Sequence, residues 1–137
     1  MSKASDCLFC RIVAGEVPSR QVYADDTCVG FLDLMPLHRG HTLVVPRRHV
    51  DDGVTEAAAW AEVAPGIVAV SDLLKQRLDA VGFNILANAG EIAGQTMFHF
   101  HVHIIPRYAH HAGMGKMMSR DPKAADDLDG LLAELVG

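Results

Sequence analysis

The most informative stretch of the chain is an alternating run of apolar residues and histidines, Phe98-His99-Phe100-His101-Val102-His103-Ile104-Ile105-Pro106. Successive side chains of a β-strand point to opposite faces, so a strand here places His99, His101 and His103 on one face. The apolar residues between them then face the core. The alternative is a solvated histidine face on an edge strand. Such faces usually carry lysine, glutamate or threonine, so the run predicts a chemical role for the histidines.

Two kinds of chemistry fit three histidines on a strand. Imidazoles can bind a metal ion such as Zn²⁺, or one imidazole can act as a nucleophile oriented through its second ring nitrogen. The loop of residues 88–96 favours the nucleophile, because glycines such as Gly94 let backbone amides approach a ligand. Asn88, Gln95 and Thr96 add neutral donors. Such donors suit a phosphate group.

Length, charge and cysteine content exclude several classes of protein. The chain has 137 residues, which fits a single domain over residues 1–137. Its 12 basic and 17 acidic residues give a net charge of −5, which argues against nucleic-acid binding. No secretory signal and no apolar run long enough to span a membrane are found. With three cysteines, these features predict a cytoplasmic protein that keeps its thiols reduced.

The remaining patterns predict an α+β fold. Apolar residues recur at helical spacing over residues 55–80, with Pro65 and Gly66 predicting a kink or a break into two helices. A short C-terminal helix is expected after Asp121 and Pro122. Strand-like runs occupy residues 21–24, 28–32, 41–45, 83–87 and 98–105. Together they predict a mostly antiparallel five-stranded sheet with one long helix.

The histidine run resembles the signature of the histidine triad (HIT) family, His-φ-His-φ-His-φ-φ, where φ is apolar. Residues 99–105 satisfy every position, and Gly94-Gln95-Thr96 is similar to the family's preceding loop. Three further segments follow in the family's order: Phe9-x-x-Ile12, Phe31-x-Asp33-Leu34 and His41-x-Leu-Val-Val-Pro46. The resemblance covers residues 7–108. It is greatest to the small prokaryotic, Hint-like branch of the family, and it implies the HIT-like fold.

The resemblance implies a nucleotide phosphoramidase or hydrolase for purine nucleoside 5′-phosphoramidates or related nucleotidyl substrates. His101 would attack the α-phosphorus and form a covalent nucleotidyl-histidine, which splits one displacement into two easier steps. His103 would contact the phosphate or the leaving group, and His41 would support both. No catalytic cofactor is implied, and the family's dimers imply a homodimer.

The resemblance also implies a site for a purine nucleotide such as AMP. Asp33 would accept hydrogen bonds from the ribose hydroxyls. The phosphate would be held by Asn88, Gly94, Gln95 and Thr96, together with His101 and His103. The purine would occupy an apolar slot formed by Phe9, Ile12, Phe31 and Leu34, for which ordinary core packing is the alternative.

Cys7 and Cys10 form a Cys-x-x-Cys pair. Two thiolates at this spacing can hold Zn²⁺, but a tetrahedral structural site needs two more ligands. The resemblance implies that His49 and His99 supply them, which would tie the N-terminal segment to two strands and remove His99 from the chemistry. Two buried thiols or a redox pair are the alternatives, and a redox pair would normally open a helix in a thioredoxin-like unit.

Two other functions stay open at this stage. A metal-dependent hydrolase would use His99, His101 and His103 as ligands. A regulatory module would bind a nucleotide and hydrolyse it only incidentally. The residues do not distinguish an amidase from a dinucleoside polyphosphate hydrolase. They also do not distinguish a preference for adenine from a preference for guanine.

Overall fold

A computed structural model describes residues 6–137 and forms, over that range, three α-helices and a five-stranded sheet. The helices are α1 (Leu8–Val13), α2 (Ala57–Leu78) and α3 (Leu128–Val136). The strands are β1 (Gln21–Ala24), β2 (Cys28–Leu32), β3 (Thr42–Pro46), β4 (Gly82–Leu86) and β5 (Val102–Arg107). The predicted α+β class with a five-stranded antiparallel sheet is therefore confirmed.

All neighbouring strands are antiparallel, in the order β1-β2-β3-β5-β4. The β1–β2 hairpin is closed by Asp25, whose carboxylate accepts hydrogen bonds from the amides of Thr27 and Cys28. The last strand in the chain, β5, inserts between β3 and β4. This insertion places His103 opposite Leu43 of β3, and so brings the histidine run beside the segment that carries His41.

β5 begins at Val102, so the prediction of a strand over residues 98–105 is wrong at its N-terminal end. The amide of Phe100 donates instead to the carbonyl of Val50, 2.6 Å away, outside the sheet. His99 and His101 therefore lie on the approach to the strand, and Phe98 is 45% exposed rather than part of the core. Phe100, Val102 and Ile104 are buried, as the alternation predicts.

The long helix α2 packs on one face of the sheet. It runs without a break through Pro65, so the predicted alternative of two successive helices is wrong. A Cβ atom at Gly66 would lie 2.7 Å from Cys28 Sγ and 3.0 Å from Val44 Cγ1. The absence of a side chain there lets the helix backbone approach β2 and β3 closely. Its buried residues recur every three or four positions: Ala59, Val63, Gly66, Val70, Leu74 and Leu78.

By length and composition α2 could also cross a membrane, with a mean hydropathy of 1.4 over its most apolar window. The sequence prediction, based on uninterrupted apolar runs, missed this property. Its buried face packs against β2, β3 and β5, and Leu131 and Leu135 of α3 join the same apolar cluster. The helix is therefore the core helix of this fold.

α3 starts at Leu128, where Asp127 caps the first turn by accepting from the amide of Gly130. The predicted start at Asp121 is wrong, because Asp121 closes a separate turn through the amides of Lys123 and Ala124. On the opposite face of the sheet, α1 covers a second apolar cluster, which comprises Cys7, Phe9, Ile12, Val29, Phe31, Leu43 and Val45. Because α1 is short, part of that face stays open beside it.

Candidate active site and metal centre

A cavity of about 760 Å³ lies on the α1 face of the sheet. Its volume falls in the range typical of small-molecule sites. Eight of the predicted site residues line it, which are Phe9, Ile12, Phe31, Asp33, Leu34, Thr96, His101 and His103. The fold therefore brings together residues that are distant in sequence, from α1, from β2 and the turn after it, and from β5 and the segment before it.

Three residues of the predicted phosphate loop do not line the cavity in the described part of the chain: Asn88, Gly94 and Gln95. Gln95 is buried, and its amide nitrogen donates to the carbonyls of Asp51 and Met97 while its oxygen accepts from the amide of Gly90. Gly94 has a positive φ of 99° and lies against the Asn88 side chain. These contacts give Gln95 and Gly94 a role in shaping the loop.

The cavity also has walls that the sequence did not predict. Arg20 and Asp129 form one of them, joined by a 2.8 Å ion pair between Arg20 Nε and Asp129 Oδ1. The unpredicted lining residues are Leu8, Pro18, Ser19, Arg20, Leu32, Met35, Leu43, Met97, Asp129 and Leu132. Pro18 to Arg20 immediately precede β1, a position that could have flagged them. No local pattern places Asp129 and Leu132 of α3 at this site.

Hydrogen bonds fix the tautomers of His41 and His103. The amide of Leu37 donates to His41 Nδ1 at 3.0 Å, so a neutral His41 carries its proton on Nε2. That nitrogen lies 3.0 Å from His103 Nδ1 and 3.6 Å from Asp33 Oδ2. His103 Nδ1 therefore accepts, and its own proton is on Nε2. This N–H is the donor that His103 offers to a ligand in the cavity.

His101 has the complementary tautomer. Its Nδ1 lies 2.8 Å from the backbone carbonyl oxygen of His99, so Nδ1–H donates to that oxygen. Nε2 then carries a lone pair. The ring centroids of His101 and His103 are 5.0 Å apart, and the edge of Phe9 packs against His101 at 5.2 Å. The site thus combines a basic nitrogen with a neighbouring N–H donor, an arrangement suited to nucleophilic attack.

Burial keeps these imidazoles neutral. It lowers the pKa of His41 to about 4, even though the nearby Asp33 carboxylate acts in the opposite direction. Burial also lowers the pKa of His103 to about 4 and depresses the pKa of His101. Desolvation disfavours the charged form of a histidine, so all three carry lone pairs at neutral pH.

Four potential metal ligands converge beside this cavity. Sulfur or nitrogen atoms of Cys7, Cys10, His49 and His99 all lie within 4.8 Å of one another. Cys10 Sγ is 3.2 Å from His49 Nδ1 and 3.3 Å from His99 Nδ1, and Cys7 Sγ is 3.4 Å from His99 Nδ1. The Cys7 thiol also accepts from the amide of Cys10, which forms the first turn of α1.

The outer nitrogens of both histidines in this cluster have partners. His99 Nε2 lies 2.9 Å from the carbonyl oxygen of Pro46, and His49 Nε2 lies 3.0 Å from Asp51 Oδ1. Such contacts orient metal-binding histidines and leave Nδ1 free for the metal. Two thiols and two imidazoles held in this way match the donor set of a structural Zn²⁺ site.

A second cluster, Asp33, His41 and His103, has its ligand atoms within 4.8 Å. The Leu37 amide keeps the His41 proton on Nε2, which leaves that nitrogen no lone pair for a cation. The three triad histidines do not converge on one point either, because His99 faces Cys7 and Cys10 while His101 faces the cavity. This geometry disfavours a metal held by His99, His101 and His103.

A protein-family model and several known proteins are similar to this chain. The family model of the HIT domain matches residues 14–110. Protein hit of Bacillus subtilis (strain 168) is 34% identical over 138 residues, covering 98% of this chain and 95% of that protein. A protein named adenylylsulfatase HINT3, from Arabidopsis thaliana, is 38% identical over 104 residues, covering 75% of this chain and 53% of that protein.

Solved structures are similar as well. The Zn-bound histidine triad family protein from Mycobacterium smegmatis has a TM-score of 0.73 at 36% identity, covering 97% of this chain and 95% of that one. The HIT family protein from Bacillus anthracis has a TM-score of 0.73 at 31% identity, covering 98% of this chain and 100% of that one.

The buried histidines predict that acid destabilises the fold. The folded-state pKa values of His41 and His103 are about 4, against an ordinary 6.5, so the unfolded chain binds more protons between these values. The contribution of these neutral histidines to the free energy of unfolding is complete above pH 6.5 and decreases as the pH drops toward 4. We expect the urea midpoint to decrease over this window, with a shallower decrease in His41→Gln. A midpoint that is constant from pH 7 to 5 would contradict the prediction.

Proposed function

The chain belongs to the HIT family, and from this premise we propose that it is a nucleotide phosphoramidase or hydrolase. Its substrates would be purine nucleoside 5′-phosphoramidates or related nucleotidyl compounds. The observation that carries the proposal is the lone pair on His101 Nε2, set in the cavity wall beside the N–H donor of His103. The name of one relative, adenylylsulfatase, is in keeping with an adenylyl substrate.

The reaction takes two displacements. His101 Nε2 attacks the α-phosphorus, a P–N bond to the histidine forms, and the bond to the leaving nitrogen breaks, with a proton from solvent going to that nitrogen so that it departs as a neutral amine. His103 Nε2–H contacts the departing group or a phosphate oxygen and stabilises the charge that develops there. Water then attacks the same phosphorus and loses a proton to solvent, which restores the proton used in the first step, while the P–N bond to His101 breaks and its electron pair returns to Nε2. The product is a nucleoside monophosphate, and no external oxidant, reductant or catalytic cofactor is needed.

The positive charge that develops on His101 has a partner in place. As the P–N bond forms, the imidazole becomes cationic while Nδ1–H still donates to the His99 carbonyl. His41 acts one step away, because its Nε2–H fixes His103 in the tautomer that offers a donor to the cavity. His41 is therefore a positioning residue in this mechanism, and His101 and His103 are the catalytic residues.

The apolar wall of the cavity fits a purine. Phe9 and Phe31 meet edge to face with centroids 5.5 Å apart, and Ile12 lies beside them in the same cluster. Leu34 is 67% exposed at the cavity and would gain an apolar contact from a bound base. Phe9, Ile12 and Phe31 also pack the core of this face, so the same side chains serve the fold and the purine slot. Asp33 would take the ribose hydroxyls, and Thr96 the phosphate.

We also propose a structural zinc ion held by Cys7, Cys10, His49 and His99. When bound, the ion would supply a cross-link between α1, the segment after β3 and the approach to β5. Because His99 would be a ligand and its carbonyl holds His101, the cross-link would also stabilise the position of the nucleophile.

A homodimer is the proposed assembly, with a second copy of this chain as the partner. β4 lies at one edge of the sheet, where its outer backbone groups have no strand partner among residues 6–137. Ile85 of β4 is 47% exposed, and Val68 on the neighbouring surface of α2 is 70% exposed. Ile67, Val68, Phe83 and Ile85 line a shared hollow there. Pairing two β4 strands would cover this apolar surface and the open edge.

Replacing the nucleophile tests the reaction. His101→Ala should lower kcat/KM for an AMP-amidate by on the order of 10⁴-fold or more, because the covalent route is lost. His103→Ala removes only a donor and should cost roughly 10²- to 10³-fold. Intact-protein mass spectrometry after brief mixing at low pH should show one added AMP, absent in His101→Ala. The exposed His110→Ala variant is the control.

Turnover that survives in folded His101→Ala would sink the nucleophile assignment. If no adduct forms and a chelator abolishes turnover, a metal-activated water would be favoured instead. Tight AMP binding with negligible turnover would favour a regulatory nucleotide-binding module.

The zinc proposal predicts about one zinc ion per chain in protein that has never met a chelator, measured by elemental analysis. Cys10→Ser should lose most of the metal and lower Tm, and His110→Ala should keep it. Since Cys10→Ser could fail to fold, chelation of the wild-type protein gives an independent measurement, with loss of zinc accompanied by a lower Tm. Metal-free wild-type protein with an unchanged Tm after chelation would remove the site.

The dimer proposal predicts a mass of about two chains by light scattering at micromolar concentration. Ile85→Lys should shift the protein to monomer, since a charge on the covered edge would be desolvated without a partner. Val54→Lys, at a 78% exposed apolar residue outside the hollow, should leave the dimer intact. A monomeric wild-type protein, or an Ile85→Lys variant that stays dimeric, would contradict this assembly.

A further inference from the structure

A segment that follows β5 is hydrogen-bonded to the loop of residues 33–41, which ends at His41. The proposed reaction makes no use of this segment. Four contacts join Arg120 Nη1 to the Pro36 carbonyl, the Asp121 amide to the Leu37 carbonyl, His38 Nε2 to the Met117 carbonyl, and the Tyr108 hydroxyl to the Arg39 carbonyl. Every residue from 36 to 39 is therefore held by the C-terminal part of the chain.

The contact made by Arg120 is connected directly to the histidines of the site. Arg120 Nη1 donates to the carbonyl oxygen of Pro36 at 2.7 Å. The N–H of the same peptide group, which belongs to Leu37, donates to His41 Nδ1 at 3.0 Å. This peptide bond is trans, so its C=O and N–H point in opposite directions. Arg120 and His41 therefore bind the two ends of a single peptide group.

The charge of Arg120 strengthens this series of hydrogen bonds. A guanidinium is a permanently charged donor, and its hydrogen bonds are stronger than those between neutral groups. Hydrogen bonds in series polarise one another, so a cation on the Pro36 carbonyl makes the Leu37 N–H a better donor. That N–H keeps the His41 proton on Nε2, which in turn donates to His103 Nδ1. The series thus runs from Arg120 to the N–H that His103 offers in the cavity.

The charge of Arg120 also acts on His41 through space. Burial is the main cause of the low pKa of His41, about 4, and the positive charge of Arg120 is one of the smaller causes that act in the same direction. None of the ion pairs formed among residues 6–137 includes Arg120. Its charge therefore has no carboxylate partner there and favours the neutral form of the imidazole.

We propose that Arg120 is a positioning residue for the reaction. Through the peptide group between Pro36 and Leu37 it holds His41, and hence His103, in the tautomers that present an N–H to the substrate. Arg120 does not line the cavity, so it acts only through these groups. Its effect on turnover rests on the proposed function, whereas its effect on the tautomers can be measured without a substrate.

Two-bond ¹H–¹⁵N NMR spectra of the ligand-free full chain at neutral pH report the tautomers. The wild-type protein should show His41 and His103 each with the proton on Nε2. In Arg120→Ala the ring nitrogen shifts of both histidines should move toward the average of the two tautomers, because the Leu37 donor is weakened and less well oriented. Arg120→Lys keeps a charged donor and should restore most of the wild-type shifts.

Turnover of an AMP-amidate gives the second readout. Arg120→Ala should lower kcat and kcat/KM by the same factor, about three- to tenfold, with KM unchanged, because the His103 donor acts on charge that develops in the transition state. Arg39→Ala is the matched control. It removes an exposed guanidinium that joins the same loop to α3 through a 2.7 Å ion pair with Glu134, and it should keep both kcat and the tautomers.

The outcomes separate this inference from the function on which it rests. Unchanged ring nitrogen shifts or an unchanged kcat in Arg120→Ala would overturn the role of Arg120 and leave the proposed function standing. Equal losses in Arg39→Ala and Arg120→Ala would identify a general loosening of the loop and overturn that role as well. A wild-type protein without turnover would overturn the proposed function. In that case averaged tautomers in Arg120→Ala would still support the connection from Arg120 to His41, and unchanged tautomers would overturn it.

Discussion

The hydrogen bond from His101 Nδ1–H to the carbonyl of His99 is the contact on which the site depends. It fixes the ring and leaves the Nε2 lone pair for a ligand. His99 itself is held on both sides, by Cys7 and Cys10 at Nδ1 and by the Pro46 carbonyl at Nε2. The residue that orients the nucleophile is thus anchored to α1 and to the end of β3. The cysteine cluster and the cavity are therefore connected directly through His99.

Burial, rather than a charged partner, sets the protonation state of the histidines in this site. No carboxylate contacts His101 at hydrogen-bond distance among the described residues, and its only hydrogen-bond partner there is a neutral carbonyl. The relay from Leu37 through His41 to His103 is also made of neutral groups. Tautomers set by backbone donors and acceptors, and charge states set by desolvation, therefore prepare the site before any ligand arrives.

Features that depend on local sequence patterns could be predicted, whereas features that depend on contacts between distant segments could not. Alternation over residues 98–105 predicted the shared face of His101 and His103, because strand geometry is a local property. The same pattern misplaced Phe98, since the bond between Phe100 and Val50 that delays β5 joins distant segments. Resemblance supplied the partners of Cys7 and Cys10, which the structure brings together. The amide chemistry of Gln95 suggested a phosphate contact, whereas in the fold its side chain is hydrogen-bonded to Gly90 of its own loop and to the distant carbonyl of Asp51, a partner that no local pattern indicates.

Helix α3 forms one part of the cavity wall. Asp129 and Leu132 reach the ligand space from a helix that carries none of the reacting histidines. The hydrogen bond between His41 and His103 and the cysteine cluster are formed by other parts of the chain. The residues that shape this wall and the residues that carry the proposed chemistry therefore lie on different elements, so a change in α3 would alter the shape of the cavity and leave the reacting groups in place.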